Sequence, residues 1–379
     1  QKIEIINSDA LYMRSNNNGN YKVLNGDVHL KKEDLNIYCD SALIFEDKNL
    51  VQAIGHVFII KKDSVKLNCD TLIYNQNTEI STFKNNIKLI HKKLKLTSDI
   101  LYYDNEKNIA FYNNYAKIKH PDFTINSQRG KYYPNIDRAL FIQNVNLYSD
   151  SFELKTDTLS YFQKKNYCQF KGKSKIIKDT TTAYCYNGNH NFNSQNTSLY
   201  DNAQVNTSDF VLNADSIYLN DKSQKAEAFV NVIWKDTTNK TNIYSQYAYF
   251  KNDITQFNSD ILFLSYSNGD SLFLSSDTLF INNNDSILHF YNNVSIKNKS
   301  LRSNCDSMAF MKKDQVFNLY YNPKIWIDST LLKSDTISLE LKNKKIDKIY
   351  LMNNSWIINK IEYNLYNQIY GRNSKGKFK

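Results

Sequence analysis

Apolar and polar residues alternate along most of the chain with a period of two. Clear examples are Val57/Ile59 and Val145/Leu147. This period places successive side chains on opposite faces, which is typical of β-strands with one buried face. No stretch shows a convincing helical period of 3.6 residues. The pattern therefore predicts an all-β protein.

A second regularity is an internal repeat. An aspartate preceded by Cys, Ser, Thr or Ala recurs in phase with the strands, at Asp9, Asp40, Asp70, Asp99, Asp157, Asp215, Asp277, Asp306 and Asp335. Three longer gaps each span about two periods, and the missing anchors are assigned to Arg129, Asn187 and Gln246. Twelve units of roughly 30 residues then fill the chain, a period typical of solenoids.

The alternation changes parity at the recurring aspartate, because the residue before it and the residue two positions after it are both apolar or small. Such a break predicts a bulge or corner, where a short carboxylate accepts nearby backbone N–H groups. A row of calcium-binding or catalytic aspartates is the alternative, and it is disfavoured because a single carboxylate recurs per unit. The prediction is an elongated β-jellyroll solenoid of about twelve coils stacked at about 4.8 Å, forming one continuous domain over residues 1–379.

Like residues of successive coils form ladders that point into one continuous apolar trough. Because each buried methylene favours burial by about 0.8 kcal/mol, such a trough can hold an apolar ligand without specific polar contacts. The predicted interior ladder consists of Val57, Phe83, Ile87, Tyr112, Ile118, Phe141, Val145, Leu147, Phe170, Ile176, Leu199, Phe257 and Phe290.

The chain is basic, with 48 Lys and Arg against 38 Asp and Glu, a net charge of +10. This charge allows anionic partners but does not choose among them, and it also fits plain solubility. Three turns at one phase of the repeat are rich in lysine and are candidates for binding charged head groups, namely Lys31, Lys32, Lys61, Lys62, Lys92 and Lys93.

No motif of a catalytic, metal or cofactor site is visible. The six histidines share no repeat phase and are predicted to lie on the surface. Cys39 and Cys69 occupy the same phase of adjacent coils, which would place their Cα atoms near 5 Å apart, within disulfide range. Reduced, buried thiols are nevertheless favoured, because strand neighbours have poor geometry for a disulfide. Lysines among aromatics would suit single-stranded nucleic acid, but the aromatics alternate to the inside, so no nucleic-acid partner is expected.

The paired anchors resemble the OstA-like/LptA family of lipopolysaccharide-transport proteins. The resemblance rests on repeated strands such as Gly55-His-Val57 and corners such as Cys69-Asp-Thr-Leu72, and it covers nearly the whole chain. It implies a non-catalytic periplasmic β-jellyroll, folded like a taco, that carries lipopolysaccharide acyl chains between two sheets. It also implies inner-membrane and outer-membrane transport components of the same jellyroll type as partners.

Further expectations concern the ends of the chain. Gln1 replaces an initiating Met, so a signal peptide is expected to have been removed, and the tail from Gly371 resembles an unfinished unit. Strand-like sequence at Ile3 to Ile6 and at 355–363 predicts head-to-tail stacking on itself or on partners. The alternatives are a structural or adhesive solenoid and a polysaccharide-processing β-helix enzyme, which would need clustered carboxylates.

Overall fold

A computed structural model describes residues 3–16, 19–61, 65–238, 240–267, 270–282, 284–342, 345–363 and 365–377. Within these ranges the protein consists of β-strands joined by turns, three of which are short 3-10 turns at Glu46–Lys48, Pro134–Ile136 and Gln163–Lys165. The prediction of an all-β fold is confirmed.

The chain divides into two compact units, one formed by 1–179 and 187–193 and the other by 180–186 and 194–379. Strand β16, Thr181–Asn191, contributes residues to both. The single domain over 1–379 stays a prediction.

The first unit contains fifteen complete strands. They are β1 Glu4–Asn7, β2 Ala10–Asn16, β3 Gly19–Lys32, β4 Leu35–Phe45, β5 Leu50–Lys61, β6 Val65–Asn75, β7 Ile80–His91, β8 Leu94–Asp104, β9 Ile109–Tyr112, β10 Ala116–His120, β11 Phe123–Ser127, β12 Arg129–Tyr133, β13 Arg138–Ser149, β14 Glu153–Phe162 and β15 Tyr167–Lys178.

The second unit contains fourteen complete strands. They are β17 Asn196–Asn206, β18 Phe210–Asn220, β19 Lys225–Asp236, β20 Thr241–Lys251, β21 Ile254–Ser267, β22 Asp270–Asn282, β23 Ile287–Lys297, β24 Leu301–Met311, β25 Val316–Tyr320, β26 Lys324–Ile327, β27 Thr330–Lys333, β28 Thr336–Lys342, β29 Lys345–Glu362 and β30 Leu365–Lys377.

Successive strands pair antiparallel, so that each repeat is a hairpin of two long strands, one carrying the aspartate and one carrying the Gly/Asn-x-Val anchor. Strand β5, for example, pairs with β4 on one side and with β6 on the other. Stacked jellyroll repeats are confirmed. The predicted distance of about 4.8 Å between successive coils is wrong, because each repeat contributes two neighbouring strands. Like residues of neighbouring repeats lie two strands apart, about 9.6 Å.

The two-strand repeat corrects the predicted proximity of Cys39 and Cys69. Cys39 lies in β4 and Cys69 in β6, with β5 between them, where Val57 is the register partner of Cys69. The preference for reduced thiols is confirmed, since all five cysteines are buried and free. Burial raises the pKa of Cys69 to about 12, which keeps the thiol protonated and unreactive at neutral pH.

Each long strand bends midway at a corner, where the register shifts. On β5, Gly55 and His56 together face the single residue Asp70 of β6, between the pairs Ile54–Thr71 and Val57–Cys69. Both bulged residues have positive φ, 78° and 41°. The corner predicted at the aspartate is confirmed, with the extra residue on the partner strand.

Two of the twelve repeat anchors were assigned one residue too late. Two buried residues three positions apart flank each corner. They are Ser127 and Gly130 at one corner and Cys185 and Gly188 at another. The residues equivalent to the aspartate are therefore Gln128 and Tyr186 rather than Arg129 and Asn187. The assignment of Gln246 agrees with its burial pattern, because Ser245 and Ala248 flank it as buried residues.

The inward face of the strands forms an apolar core in each unit. In the first unit Leu159 of β14 lies between Phe141 of β13 and Phe170 of β15 in register. In the second unit Phe257 of β21 pairs with Leu279 of β22. All five side chains are at most 3 % exposed, and burial of each contributes about 1.5–3 kcal/mol.

Candidate functional site

The predicted interior ladder lies inside the fold. Twelve of its thirteen members are buried, and Ile176 is half-buried. The buried members are Val57, Phe83, Ile87, Tyr112, Ile118, Phe141, Val145, Leu147, Phe170, Leu199, Phe257 and Phe290. They belong to the apolar core of the unit in which each lies.

The interior of the first unit is closely packed. A cavity of about 40 Å³ lies among Leu96, Leu101, Tyr112, Ile118 and Phe141, with an apolar lining. This volume is well below the 150 Å³ or so of an apolar cavity that binds one benzene molecule. The strand halves on either side of the corners form two facing walls of the jellyroll. This cavity can therefore hold an acyl chain only if the two walls move apart.

The strand ends of the first unit meet across a line of polar contacts, which we call the seam. It joins turns 41 to 45 residues apart in sequence. One clasp pairs the Lys92 ammonium with Asp137 at 2.5 Å, beside a hydrogen bond of 2.8 Å between His91 Nδ1 and the Tyr132 hydroxyl. The Asp137 side chain is 6 % exposed, and the adjacent Lys92 holds its pKa below the usual range.

A second clasp of the seam is a chain of hydrogen bonds centred on Tyr161. His120 Nδ1 accepts the Asp122 backbone N–H at 3.2 Å, so its Nε2–H donates to the Tyr161 hydroxyl at 3.3 Å. Tyr161 donates to Asn166 Oδ1, and Asn166 Nδ2 donates to Asp122 Oδ2 at 2.8 Å. Burial lowers the pKa of His120 and keeps the ring neutral in this arrangement.

A polar cleft of about 350 Å³ opens on the seam. It is lined by Lys92, Lys93, His120, Asp137, Tyr161, Gln163, Lys164, Asn166 and Asn193. Lys164 Nζ lies 3.6 Å from Asp137 Oδ2, so two ammonium groups, those of Lys92 and Lys164, pair with this carboxylate, and Lys93 lines the same cleft. The cleft adjoins the apolar cavity, because His91 lines the cavity and Lys92 lines the cleft.

The predicted head-group lysines do not form one site. Lys92 and Lys93 line the cleft. Lys32 is half-buried and donates to the Tyr74 hydroxyl at 2.5 Å, whereas its neighbour Lys31 is exposed at the end of β3 and Lys61 is exposed at the end of β5. Lys62 lies outside the described residues.

Sequence analysis missed Lys164, Asp137 and the Tyr161 chain. Asp137 lies about one and a half repeats beyond the lysine pair, and Tyr161 and Lys164 lie more than two repeats beyond it. No local pattern marks such contacts, because they depend on how far the strands bend at the corner.

The expectation that the histidines lie on the surface is wrong for three of them. His91 and His190 are buried, and the His120 side chain is 3 % exposed. They occupy strand ends where aromatic rings cover them. His120, for example, stacks on Phe123 with ring centroids 4.7 Å apart.

The described residues offer no constellation of a metalloenzyme. Across those ranges, no group of three His, Cys, Asp or Glu side chains is arranged to hold a metal ion. The strands and turns described above also include no helix with the length and apolar character that crossing a membrane requires.

Comparison with known proteins gives a family match over the N-terminal part of the chain. The family described as OstA-like protein matches residues 1–157. One similar solved structure is LptH of Pseudomonas aeruginosa, the LptA-homologous periplasmic component of its lipopolysaccharide transport device, at 15 % identity and a TM-score of 0.17. The similarity covers 34 % of this chain and 75 % of that one. No curated protein matches the chain. Residues 1–157 are therefore similar to the OstA-like family.

Proposed function

We propose that this protein is a non-catalytic periplasmic carrier that binds the acyl chains of lipopolysaccharide between the walls of its jellyroll. The observation that carries the proposal is the apolar interior of each unit, in which twelve of the thirteen predicted ladder residues are buried. The similarity of residues 1–157 to the OstA-like family supports this choice of ligand and compartment. An acyl chain entering between the walls exchanges side-chain contacts for lipid contacts, so binding needs no specific polar group.

Photo-crosslinking tests where the lipid binds. A photoreactive residue at Phe83 or Phe170 points inward, whereas the same residue at the neighbouring Lys84 or Lys171 points to solvent. We expect lipopolysaccharide to be captured from the two inward positions and not from the outward controls. Equal capture from Phe170 and Lys171 would contradict an interior site.

The close packing around the cavity of about 40 Å³ favours a second candidate, a purely structural solenoid with a dry core. Extraction of the purified protein followed by mass spectrometry separates the two. A carrier releases stoichiometric glycolipid, and a structural solenoid releases none.

Assembly with partners of the same jellyroll type is the final part of the proposal. Strand β30 pairs with β29 and with no other described strand, and it exposes Tyr366, Ile369 and Tyr370. An edge of this kind presents unpaired backbone groups to which another strand can be added. Added strands from inner-membrane or outer-membrane transport components, or from a second copy, would continue the apolar interior.

A further inference from the structure

We propose that the cleft on the seam, which is lined by Lys92, Lys93, Lys164 and Asp137, binds a phosphate monoester. This inference rests on the proposed function in one respect, since it assigns the phosphate to the head group of the same glycolipid. The site itself stands on the geometry and charge of the cleft.

The charge of the cleft matches that of a phosphate monoester. Three ammonium groups and one carboxylate give a net charge of +2, while His120 is neutral. A phosphate monoester carries about −1.5 to −2 at pH 7. A carboxylate ligand would leave about half of this charge unbalanced.

The other polar side chains that line the cleft already have hydrogen-bond partners, so the lysines are the groups that can bind a ligand. Tyr161, Asn166 and His120 are already engaged with one another and with Asp122. In contrast, Lys93 makes no hydrogen bond or ion pair with any described residue. The Lys164 side chain is 80 % exposed and reaches Asp137 only at 3.6 Å, so both ammonium groups are available to an anion.

The position of the cleft suits an amphiphilic ligand. Lys92 lines the cleft and is next in sequence to His91, which lines the apolar cavity. A phosphate held by the lysines would place an attached acyl chain at the line where the walls part. The volume of about 350 Å³ lies in the range of small-molecule sites, which is enough for a phosphorylated sugar.

The test compares two ligands that carry phosphate, one inorganic and one a glycolipid, with a glycolipid that carries none. Binding is measured for inorganic phosphate, for a bisphosphorylated lipid A and for the same glycolipid without phosphates. The variants are Lys93→Gln and Lys164→Gln, and Lys88→Gln is the control because Lys88 is exposed on β7 outside the cleft. Lys92 is left intact, since its loss would strip the buried Asp137 of its partner.

We expect each cleft variant to bind the phosphorylated glycolipid about 3- to 10-fold more weakly, with no change for Lys88→Gln or for the dephosphorylated ligand. Unfolding curves that coincide with wild type confirm that each variant is folded. Wild-type affinity of the Lys93→Gln/Lys164→Gln double variant for the phosphorylated glycolipid would overturn the cleft assignment and leave the proposed carrier function intact. Lysine-dependent binding of inorganic phosphate without any glycolipid binding would retain the cleft and refute the carrier.

Discussion

At the scale of single residues, the corner aspartate is held by a side chain that the repeat analysis did not identify. Asn86 Nδ2 donates to Asp70 Oδ2 at 2.8 Å, and Asn293 makes the same bond to Asp277. At an equivalent corner His56 replaces the asparagine opposite Asp40. The parity of the sequence revealed the corner, but the partner lies 16 residues away on the next strand, where local patterns do not reach.

We predict that Asn86 stabilises its corner in two separable ways. Asn86 has a φ of 53°, a conformation that asparagine and glycine adopt more readily than alanine. Asn86→Ala loses both the hydrogen bond and this preference and should lower the free energy of unfolding by about 1–2 kcal/mol. Asn86→Gly loses the bond alone and should cost less. Equal losses in urea unfolding would show that backbone strain contributes nothing.

Histidines at the seam and at a corner should give stability opposite dependences on pH. Burial is the main cause that lowers the pKa of His91 and His120 from the ordinary 6.5. Below pH 6.5 the unfolded chain therefore binds more protons, and the stability they contribute is lost as pH falls toward the folded pKa. Their partners are Lys92, Asp137 and Tyr132 around His91, and Asp122, Lys93 and Tyr161 around His120.

The bond to Asp40 raises the pKa of His56, so the sign is reversed. Its contribution is fully present below pH 6.5 and is lost as pH rises through the folded pKa. Thermal unfolding at pH 7.5 and 5.5 tests both signs. His91→Gln/His120→Gln should lose less stability than wild type on acidification, and His56→Asn, which copies the asparagine corners, should lose more. An unchanged pH dependence in both variants would rule out this linkage.

At the scale of strands, the alternating pattern identified the elements correctly but left their pairing open. A period of 30 residues is compatible with a coil that rises by one strand spacing per repeat. It is equally compatible with a hairpin that occupies two strand positions per repeat. The hairpin is adopted because turns such as 76–79 are too short for anything but an antiparallel return. Consequently the inward residues were predicted well, whereas distances between repeats, as for Cys39 and Cys69, were not.

Leu159 tests how tightly the strands of one core pack. It is fully buried between Phe141 and Phe170, so Leu159→Ala should lower the free energy of unfolding by about 2–5 kcal/mol through lost burial and a residual cavity. Lys155→Ala on the same strand removes an exposed ion pair with Glu153 and should cost at most about 1 kcal/mol. Similar urea midpoints for the two variants would mean that the core is loosely packed.

At the scale of the whole molecule, assembly through edge strands is the property most open to experiment. Ile5 of β1 and Ile369 of β30 are exposed, at 38 % and 59 %. If strands add to these edges, the sedimentation coefficient should rise with protein concentration. Ile5→Lys or Ile369→Lys should reduce that rise, because an edge lysine opposes strand addition.

Ile136 provides the matched control for this measurement. It is 61 % exposed but lies in a turn of the first unit rather than on an edge strand. Ile136→Lys should therefore leave the concentration dependence unchanged. A wild-type protein that sediments as a monomer at every concentration would exclude edge-mediated assembly.

The corner and the seam lie at different places along the strands of the first unit. This difference determines which measurements can detect the entry of a lipid into the interior. The corner lies midway along each strand, whereas the seam joins strand ends through side chains such as Lys92 and Asp137. Widening the interior therefore changes the angle between two walls and breaks seam contacts, while backbone bonds between neighbouring strands persist. Far-ultraviolet circular dichroism and hydrogen exchange of the backbone amides between neighbouring strands would not detect such a change. Fluorine NMR of fluorotyrosine introduced at Tyr132 and Tyr161, whose hydroxyls lie in the seam, would report it.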